Sequence, residues 1–222
     1  MDNYILGMRL EATDFQREHI IIDINDESIE SDFVNSCMKY NYNYKILRQN
    51  SNTLYNNYNL GQNKMLLFRD YLKKNRHEYN KILLSDVFDV VVLKEGLFDY
   101  IDDTKLYIGD GDRNLGIRWI KNNSNALLKH SIFENWYNLN LDKSILNTGL
   151  IAGNIDLVID LLDKMCDIIT KYCENYDEGN DIFILNYICY NYYNDILIHG
   201  SPFNTEFRKK DHDNKECYLA HK

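Results

Sequence analysis

Two carboxylates with the spacing of cation ligands stand out in the segment 81–93. Asp86 and Asp89 interrupt a run that is otherwise apolar, with 82–84 before them and 90–93 after them. Such a run is typical of a strand covered on both faces, where charges are costly unless they lie at the strand's end and hold something. Two acids at a turn leaving that strand can converge on Mg²⁺ or Mn²⁺, which prefer oxygen ligands and commonly bridge to phosphates. These residues alone indicate a cation site or, equally, a solvated surface turn.

A cation held by two aspartates has room for further ligands, and an imidazole at a neighbouring strand end is a candidate. Two histidines follow short apolar segments late in the chain, His221 after 218–220 and His199 after 196–198. The sequence leaves both open, with His221 as the first candidate and His199 as its competitor.

Other polar residues lie where a ligand could approach. Lys64 opens a predicted helix, where its ammonium group could meet a phosphate, although a solvated lysine is the more common outcome. Asn147 and Gly149 lie in a strand broken by glycines, which often mark a close approach of backbone to ligand; a β-bulge explains them equally well. Asp181 near the start of a late helix is explained by the helix dipole, or it orients a hydroxyl group.

Alternating strands and helices must position these residues. Hydrophobic spacing predicts strands at 19–25, 44–47, 82–93, 105–108, 144–153, 196–199 and 218–221, and helices at 29–41, 64–77, 125–139, 155–174 and 178–193. Residues 48–60 are polar and predict a loop. The alternation favours an α/β sandwich with a mostly parallel sheet.

Length and composition limit the possible functions. The 222 residues, 45% of them hydrophobic, predict one globular domain, 1–222, and the net charge of −9 argues against nonspecific nucleic-acid binding. Scattered cysteines without a CxxC pair argue against a zinc site and favour a reducing compartment. No signal peptide or membrane-spanning run is visible, so we expect a cytoplasmic protein. The phosphate loops of Rossmann and P-loop proteins, GxSxG and HExxH are missing.

Taken together, the segments resemble GT-A type glycosyltransferases that use nucleotide sugars, in particular the glycosyltransferase domain of the collagen lysyl hydroxylases and the procollagen galactosyltransferases. The likeness is one of pattern and runs over about 19–222. It rests on a strand, polar turn and helix at 19–47, on Gly61-Gln62-Asn63-Lys64 at a helix start, on Asp86-Val87-Phe88-Asp89 between apolar halves, on Asn147-Thr148-Gly149 through Gly153, and on a closing His221.

The resemblance implies a GT-A α/β/α sandwich and an enzyme that moves a sugar from a UDP-sugar to a hydroxyl group of a saccharide or glycoconjugate acceptor. It implies Mn²⁺, or Mg²⁺, as the cofactor, and a residue that orients a hydroxyl or serves as base. By position, the metal ligands would be Asp86, Asp89 and His221, the nucleotide contacts Ile24, Asn25 and Lys64, and the sugar and acceptor contacts Asn147, Gly149 and Asp181.

The chain also departs from the family pattern. Many relatives carry Asp-Gln where this chain has Asp181-Ile182. This departure leaves a second interpretation open, a catalytically inactive GT-A fold that binds carbohydrate or docks a partner. Without a secretory signal, synthesis of a bacterial or viral surface glycan is a better expected context than collagen modification.

Overall fold

The computed structural model describes residues 1–11, 27–173, 181–205 and 214–221. Strands in these ranges form a six-stranded sheet and a two-stranded sheet. They are β1 (Asp2–Leu10), β2 (Tyr44–Gln49), β3 (Tyr79–Ser85), β4 (Val90–Val92), β5 (Leu106–Asn114), β6 (Ser144–Asn154), β7 (Leu197–His199) and β8 (Leu219–His221).

The larger sheet has the order β2-β1-β3-β6-β5-β7, and β4 pairs with β8 in the smaller one. Within the larger sheet, β1 is parallel to both neighbours and β5 is parallel to β7, whereas β6 is antiparallel to β3 and to β5. Among the strands described there, β6 is therefore the only one that runs against the others. The predicted mostly parallel sheet is confirmed, and the carboxyl ends of β1, β3, β5 and β7 meet at one edge.

Helices cover both faces of this sheet. They are α1 (Ser31–Lys39), α2 (Leu60–Asn75), α3 (Leu97–Tyr100), α4 (Arg118–Asn123), α5 (Ser131–Leu139), α6 (Ile155–Tyr172) and α7 (Asp181–Tyr192), with 3-10 turns at Glu27–Glu30, Ser51–Thr53, Arg76–Glu78 and Leu127–Lys129. None of the helices described is both long and apolar enough to cross a membrane.

Strand β3 shows why the sequence there is almost continuously apolar. Ile82 and Leu84 belong to the large core formed with α2, α6 and α7, whereas Leu83 belongs to the core on the opposite face, formed with α1, α3 and the small sheet. Because successive side chains of a strand point to opposite faces, a strand segment between two helical layers buries apolar side chains at consecutive positions. The predicted α/β/α sandwich is confirmed.

Two strand predictions need correction or qualification. The single strand predicted at 82–93 is wrong, because β3 ends at Ser85 and β4 begins at Val90 in the other sheet. The chain must turn there, since the charged side chains of the turn cannot continue a buried ladder. The strand predicted at 19–25 lies outside the described residues, and β1, which the pattern did not predict, lies between β2 and β3 in the large sheet.

Helix α2 begins at Leu60, four residues before the predicted start, because Asn59 and Gln62 form a capping box. The Asn59 side chain accepts a hydrogen bond from the Gln62 backbone, and the Gln62 side chain accepts one from the Asn59 backbone. This cap places Lys64 in the first turns of α2, near the sheet edge where β3 ends. Strand β6 runs without interruption over Ser144–Asn154, so the predicted strand at 144–153 is confirmed, whereas the break predicted at its glycines is wrong.

Candidate metal centre

The turn that follows β3 holds the first aspartate of the candidate site. The Asp86 backbone N–H donates to the Gly149 carbonyl at 2.9 Å, which extends the β3–β6 pairing one residue past the strand. Ser85 donates its hydroxyl to the Asp86 carbonyl at 2.8 Å. These bonds fix the backbone of Asp86 at the carboxyl edge of the sheet, where ligands of α/β proteins commonly bind.

The small sheet brings a histidine to the same turn. His221 in β8 pairs with Val90 in β4, directly after Asp89. Its Nε2 lies 3.9 Å from Asp86 Oδ2 and 3.7 Å from Asp89 Oδ1. One ligand atom from each of the three side chains lies within 4.8 Å of the others. Of the two histidines left open by the sequence, His221 is the one beside the aspartates.

The electrostatics of the cluster favour a neutral imidazole. The side chain of His221 is 1% exposed, and this burial lowers its pKa to about 4; Asp86 opposes the shift and Lys64 adds to it. Lys64 Nζ donates to Asp86 Oδ1 at 2.7 Å and to the Thr148 carbonyl at 3.5 Å. The lysine predicted to meet a phosphate thus contacts a candidate metal ligand.

Gly149 leaves the space that a cation between these groups would need. A Cβ atom at this position would lie 2.7 Å from Asp86 Oδ2, 2.7 Å from His221 Nε2 and 2.3 Å from His221 Cε1. The Gly149 N–H donates to Asn147 Oδ1 at 2.8 Å, so Asn147 shapes the backbone around this glycine. Two carboxylates and a neutral imidazole around a cradle without a side chain are a donor set that fits Mn²⁺ or Mg²⁺.

Asp181 lies at the start of α7 and is linked to the same backbone segment. Thr148 donates its hydroxyl to Asp181 Oδ2 at 2.7 Å. A Cβ atom at Gly61 in α2 would lie 2.7 Å from Asp181 Oδ1, so the carboxylate packs directly on this glycine. The sequence assigned no role to Thr148 or Gly61 in holding Asp181, although both lie in the segments that carried the resemblance.

The predicted site residues that the structure describes are therefore joined by short contacts. Lys64, Asp86, Asp89, Gly149 and His221 form the cluster itself, Asn147 supports Gly149, and Asp181 is joined to the segment through Thr148. The predicted nucleotide contacts Ile24 and Asn25 lie outside the described residues.

Comparisons with known proteins agree with this architecture. No family model matches the sequence, and no curated protein matches it. Among solved structures, the chain is similar to a glycosyltransferase involved in the glycosylation of the major capsid of PBCV-1. The TM-score is 0.52 at 13% sequence identity, and the match covers 99% of this chain and 91% of that one. With the mostly parallel sheet between helical layers, this likeness shows that the chain has a GT-A glycosyltransferase fold.

Proposed function

We propose that the protein is a metal-dependent glycosyltransferase that moves a sugar from a UDP-sugar to a hydroxyl group of a saccharide or glycoconjugate acceptor. One observation carries the proposal: Asp86, Asp89 and His221 converge beside a glycine at the carboxyl edge of a GT-A sheet.

Asp86, Asp89 and His221 would hold Mn²⁺ or Mg²⁺ in this proposal. Such an ion would supply Lewis acidity, which would offset the negative charge that develops on a departing diphosphate. Burial of His221 keeps its imidazole neutral and so able to coordinate. Lys64 holds the Asp86 carboxylate in place through its 2.7 Å contact and adds positive charge beside the phosphates.

The remaining predicted residues would hold the donor and the acceptor. Asn147 and Gly149 would line the sugar side of the cradle. This role is supported by the hydrogen bond from the Gly149 N–H to Asn147 Oδ1, which holds the backbone beside the proposed metal ligands. Asp181, anchored by Thr148, orients a hydroxyl group of the sugar or accepts a proton from it. Ile24 and Asn25 would contact the nucleoside.

The proposed biological role is the synthesis of a glycan or surface polysaccharide. The glycosyltransferase of similar fold supports this context, because it is involved in the glycosylation of the major capsid of PBCV-1. The excess of acidic residues does not conflict with an anionic donor, since a bound cation can invert the local field.

Calorimetry tests the proposal directly. We expect UDP to bind in the presence of Mn²⁺ and to lose at least about tenfold in affinity in EDTA or after Asp89→Ala, since ligands and their supporting groups typically contribute factors of this size. Asp195→Ala is the matched control, because this exposed aspartate precedes β7 and is not part of the cluster. Equal UDP affinity with Mn²⁺ and with EDTA would reject the proposal.

A second candidate function rests on the residue that follows Asp181. Ile182 is partly buried against the large core, so the amide that many relatives carry at this position is replaced by an apolar side chain. This replacement favours a GT-A fold that binds carbohydrate or a partner without catalysis. Measuring UDP release from a panel of UDP-sugars with Mn²⁺ separates the two functions: tight UDP binding without hydrolysis or transfer supports the inactive module.

A further inference from the structure

A second polar pair lies at the carboxyl edge of the sheet, outside the metal cluster. Asp110 in β5 and His199 at the end of β7 belong to neighbouring parallel strands, and Ile108 pairs with His199 in their register. The pairing of β5 with β6 shifts register between Ile108 and Gly109, just before the aspartate. Such irregularities redirect side chains and are frequent beside functional sites.

The two side chains face each other at ion-pair distance but do not form a hydrogen bond. Asp110 Oδ1 and His199 Nδ1 lie 3.4 Å apart, yet both atoms are buried and have no hydrogen-bond partner among the described residues. Buried polar atoms in native proteins are nearly always hydrogen-bonded, so a pair of this kind needs an explanation. The side chains as a whole remain reachable, with 25% of Asp110 and 31% of His199 exposed.

The side chain of Asn204 holds the backbone of Asp110 in place. Asn204 accepts a hydrogen bond from the Asp110 backbone N–H at 3.2 Å and donates one to the Asp110 carbonyl at 3.4 Å. Gly200 follows His199 with a φ of +75°, a conformation that favours glycine, and a Cβ there would lie 3.1 Å from Asp110 Oδ2. The chain therefore passes close to the carboxylate at a residue that has no side chain to cover it.

The position of the pair relates it to the candidate metal centre. The strands β3, β5 and β7 run in the same direction, so Asp110 and Asp86 both lie toward the carboxyl edge, with β6 between their strands. Two strand spacings correspond to about 10 Å across the sheet. Asn147, which supports Gly149 in the metal cluster, pairs with Gly109, the residue before Asp110.

We infer that Asp110 and His199 form a subsite that hydrogen-bonds a hydroxyl group of the saccharide acceptor; the acceptor role rests on the proposed function. A sugar hydroxyl both donates and accepts, so it can donate to the Asp110 carboxylate and exchange a second hydrogen bond with the imidazole. The subsite stands beyond the cradle at Gly149, on the side of the sheet toward β7. Asp181 then serves the transferred sugar, and Asp110 with His199 serve the molecule that receives it.

Nuclear magnetic resonance of protein labelled with ¹³C-histidine tests the subsite. With six histidines in the chain, the signal of His199 is assigned by its loss in His199→Gln and that of His221 by its loss in His221→Gln. The probes are methyl β-galactoside and methyl α-glucoside, added with UDP and Mg²⁺. We expect a saturable shift of the His199 signal with a glycoside, and an affinity about tenfold weaker in Asp110→Asn, as for a lost hydrogen bond to a charged group.

Controls separate this inference from the proposed function. Asp195→Asn, which changes an exposed aspartate in the turn before β7, should leave the glycoside affinity unchanged. UDP with Mg²⁺ should shift the His221 signal equally in wild type and in Asp110→Asn, which also shows that the variant is folded. A His199 signal that neither glycoside moves overturns the subsite, even if UDP binds. A His221 signal that UDP and Mg²⁺ leave unmoved overturns the proposed function, whereas a glycoside response at His199 would still support the subsite.

Discussion

His221 and His199 end similar short strands but lie in opposite surroundings. His221 is almost fully buried, with carboxylate oxygens of Asp86 and Asp89 at 3.9 and 3.7 Å from Nε2. His199 is about one-third exposed and has a single carboxylate, that of Asp110, at 3.4 Å from Nδ1. The local sequences, Ile-Leu-Ile-His and Tyr-Leu-Ala-His, do not distinguish them.

The difference comes from the strands with which each histidine pairs. The strand β8 pairs with β4 and so lies beside the turn that leaves β3, whereas β7 is the edge strand of the large sheet beside β5. A buried neutral imidazole between two acids is suited to hold a cation that stays in place. A partly exposed imidazole beside one acid is suited to a solute that comes and goes.

The largest expected effect comes from filling the cradle beside His221. In Gly149→Ala, the new Cβ would lie 2.3 Å from His221 Cε1 and 2.7 Å from Asp86 Oδ2, so both side chains must move away. Since the clashing atoms belong to side chains and not to the backbone, we expect the geometry of the candidate ligands to change more than the fold. We expect Mn²⁺ affinity, measured by calorimetry, to fall about a hundredfold, the upper end of what displaced supporting groups cost in metal sites.

Gly153→Ala is the matched control for the cradle, since it changes another glycine of the same strand. Its Cβ would lie 3.1 Å from the Lys105 carbonyl oxygen. This contact is tight but does not involve the cluster. This variant should keep the wild-type Mn²⁺ affinity even if its melting temperature falls. Unchanged Mn²⁺ affinity in Gly149→Ala, with circular dichroism like that of wild type, would contradict the cradle.

Replacing each histidine separately tests whether only His221 contributes to metal binding. His221→Gln should weaken Mn²⁺ binding by about tenfold to a hundredfold, because it removes the imidazole between the two carboxylates. His199→Gln should leave Mn²⁺ affinity within about twofold, since His199 is not in the cluster of possible ligands. Electron paramagnetic resonance of free Mn²⁺ gives both affinities. Equal losses in the two variants would contradict a role in Mn²⁺ binding for His221 that His199 does not share.

Much of the fold follows from local patterns in the sequence. The two-sided apolar segment before Asp86 identifies a buried strand, and the helical spacing in 155–172 identifies α6, with Val158, Leu162 and Met165 in the core. The pattern did not predict strand β1, and local periodicity gives no reason to expect the buried Arg9 near its end. Arg9 is paired with Glu30, 21 positions along the chain, and such a partner cannot be read from local periodicity.

The candidate site also contains residues that the local sequence predicts and residues that only the fold brings together. Asp86 and Asp89 are visible because charges interrupt an apolar run, a property of the local sequence. The cradle at Gly149 and the contact from Lys64 to Asp86 depend on β6 being antiparallel to β3 and on the packing of α2. Their members are 63 and 22 residues from Asp86 in the chain, and only the fold reveals that they are neighbours.

A smaller effect is expected from the lysine that faces the cluster. Lys64→Met removes the 2.7 Å contact with Asp86, whose side chain is 24% exposed, and leaves two neighbouring carboxylates without that charge. We expect the free energy of unfolding, measured with urea in EDTA, to fall by about 1–3 kcal/mol. Saturating Mn²⁺ should raise the free energy of unfolding by more in the variant than in wild type, because the ion replaces the missing charge.

Lys164→Met provides the contrast for Lys64. Lys164 contacts Asp160 at 2.5 Å within α6, with 34% and 53% of the two side chains exposed. Such a solvated pair is worth only about 0.3–0.5 kcal/mol, and Mn²⁺ should not compensate its loss. A Lys64→Met variant as stable as Lys164→Met, with no differential response to Mn²⁺, would show that Lys64 is an ordinary surface lysine.

The smallest expected effect concerns the link between the cradle segment and Asp181. Thr148→Val keeps the shape of the side chain and removes the hydroxyl that donates to Asp181 Oδ2 at 2.7 Å. We expect a loss of about 1 kcal/mol in unfolding free energy, as for one partly buried hydrogen bond. Thr170→Val is its control, because that hydroxyl contacts only the backbone of α6 on an exposed face.

A double-mutant cycle decides whether this link is specific. If Thr148 acts through Asp181, then Thr148→Val should cost little in an Asp181→Asn background, with a coupling energy of about 0.5–1 kcal/mol. Additive losses would mean that Asp181 is held by its packing on Gly61 rather than by the hydroxyl. In that case the position of Asp181 would depend on α2, which also carries Lys64, and a substitution at Gly149 would not change it. Coupling would instead tie Asp181 to the cradle segment, so that the candidate metal ligands and the Asp181 carboxylate depend on the same stretch of β6.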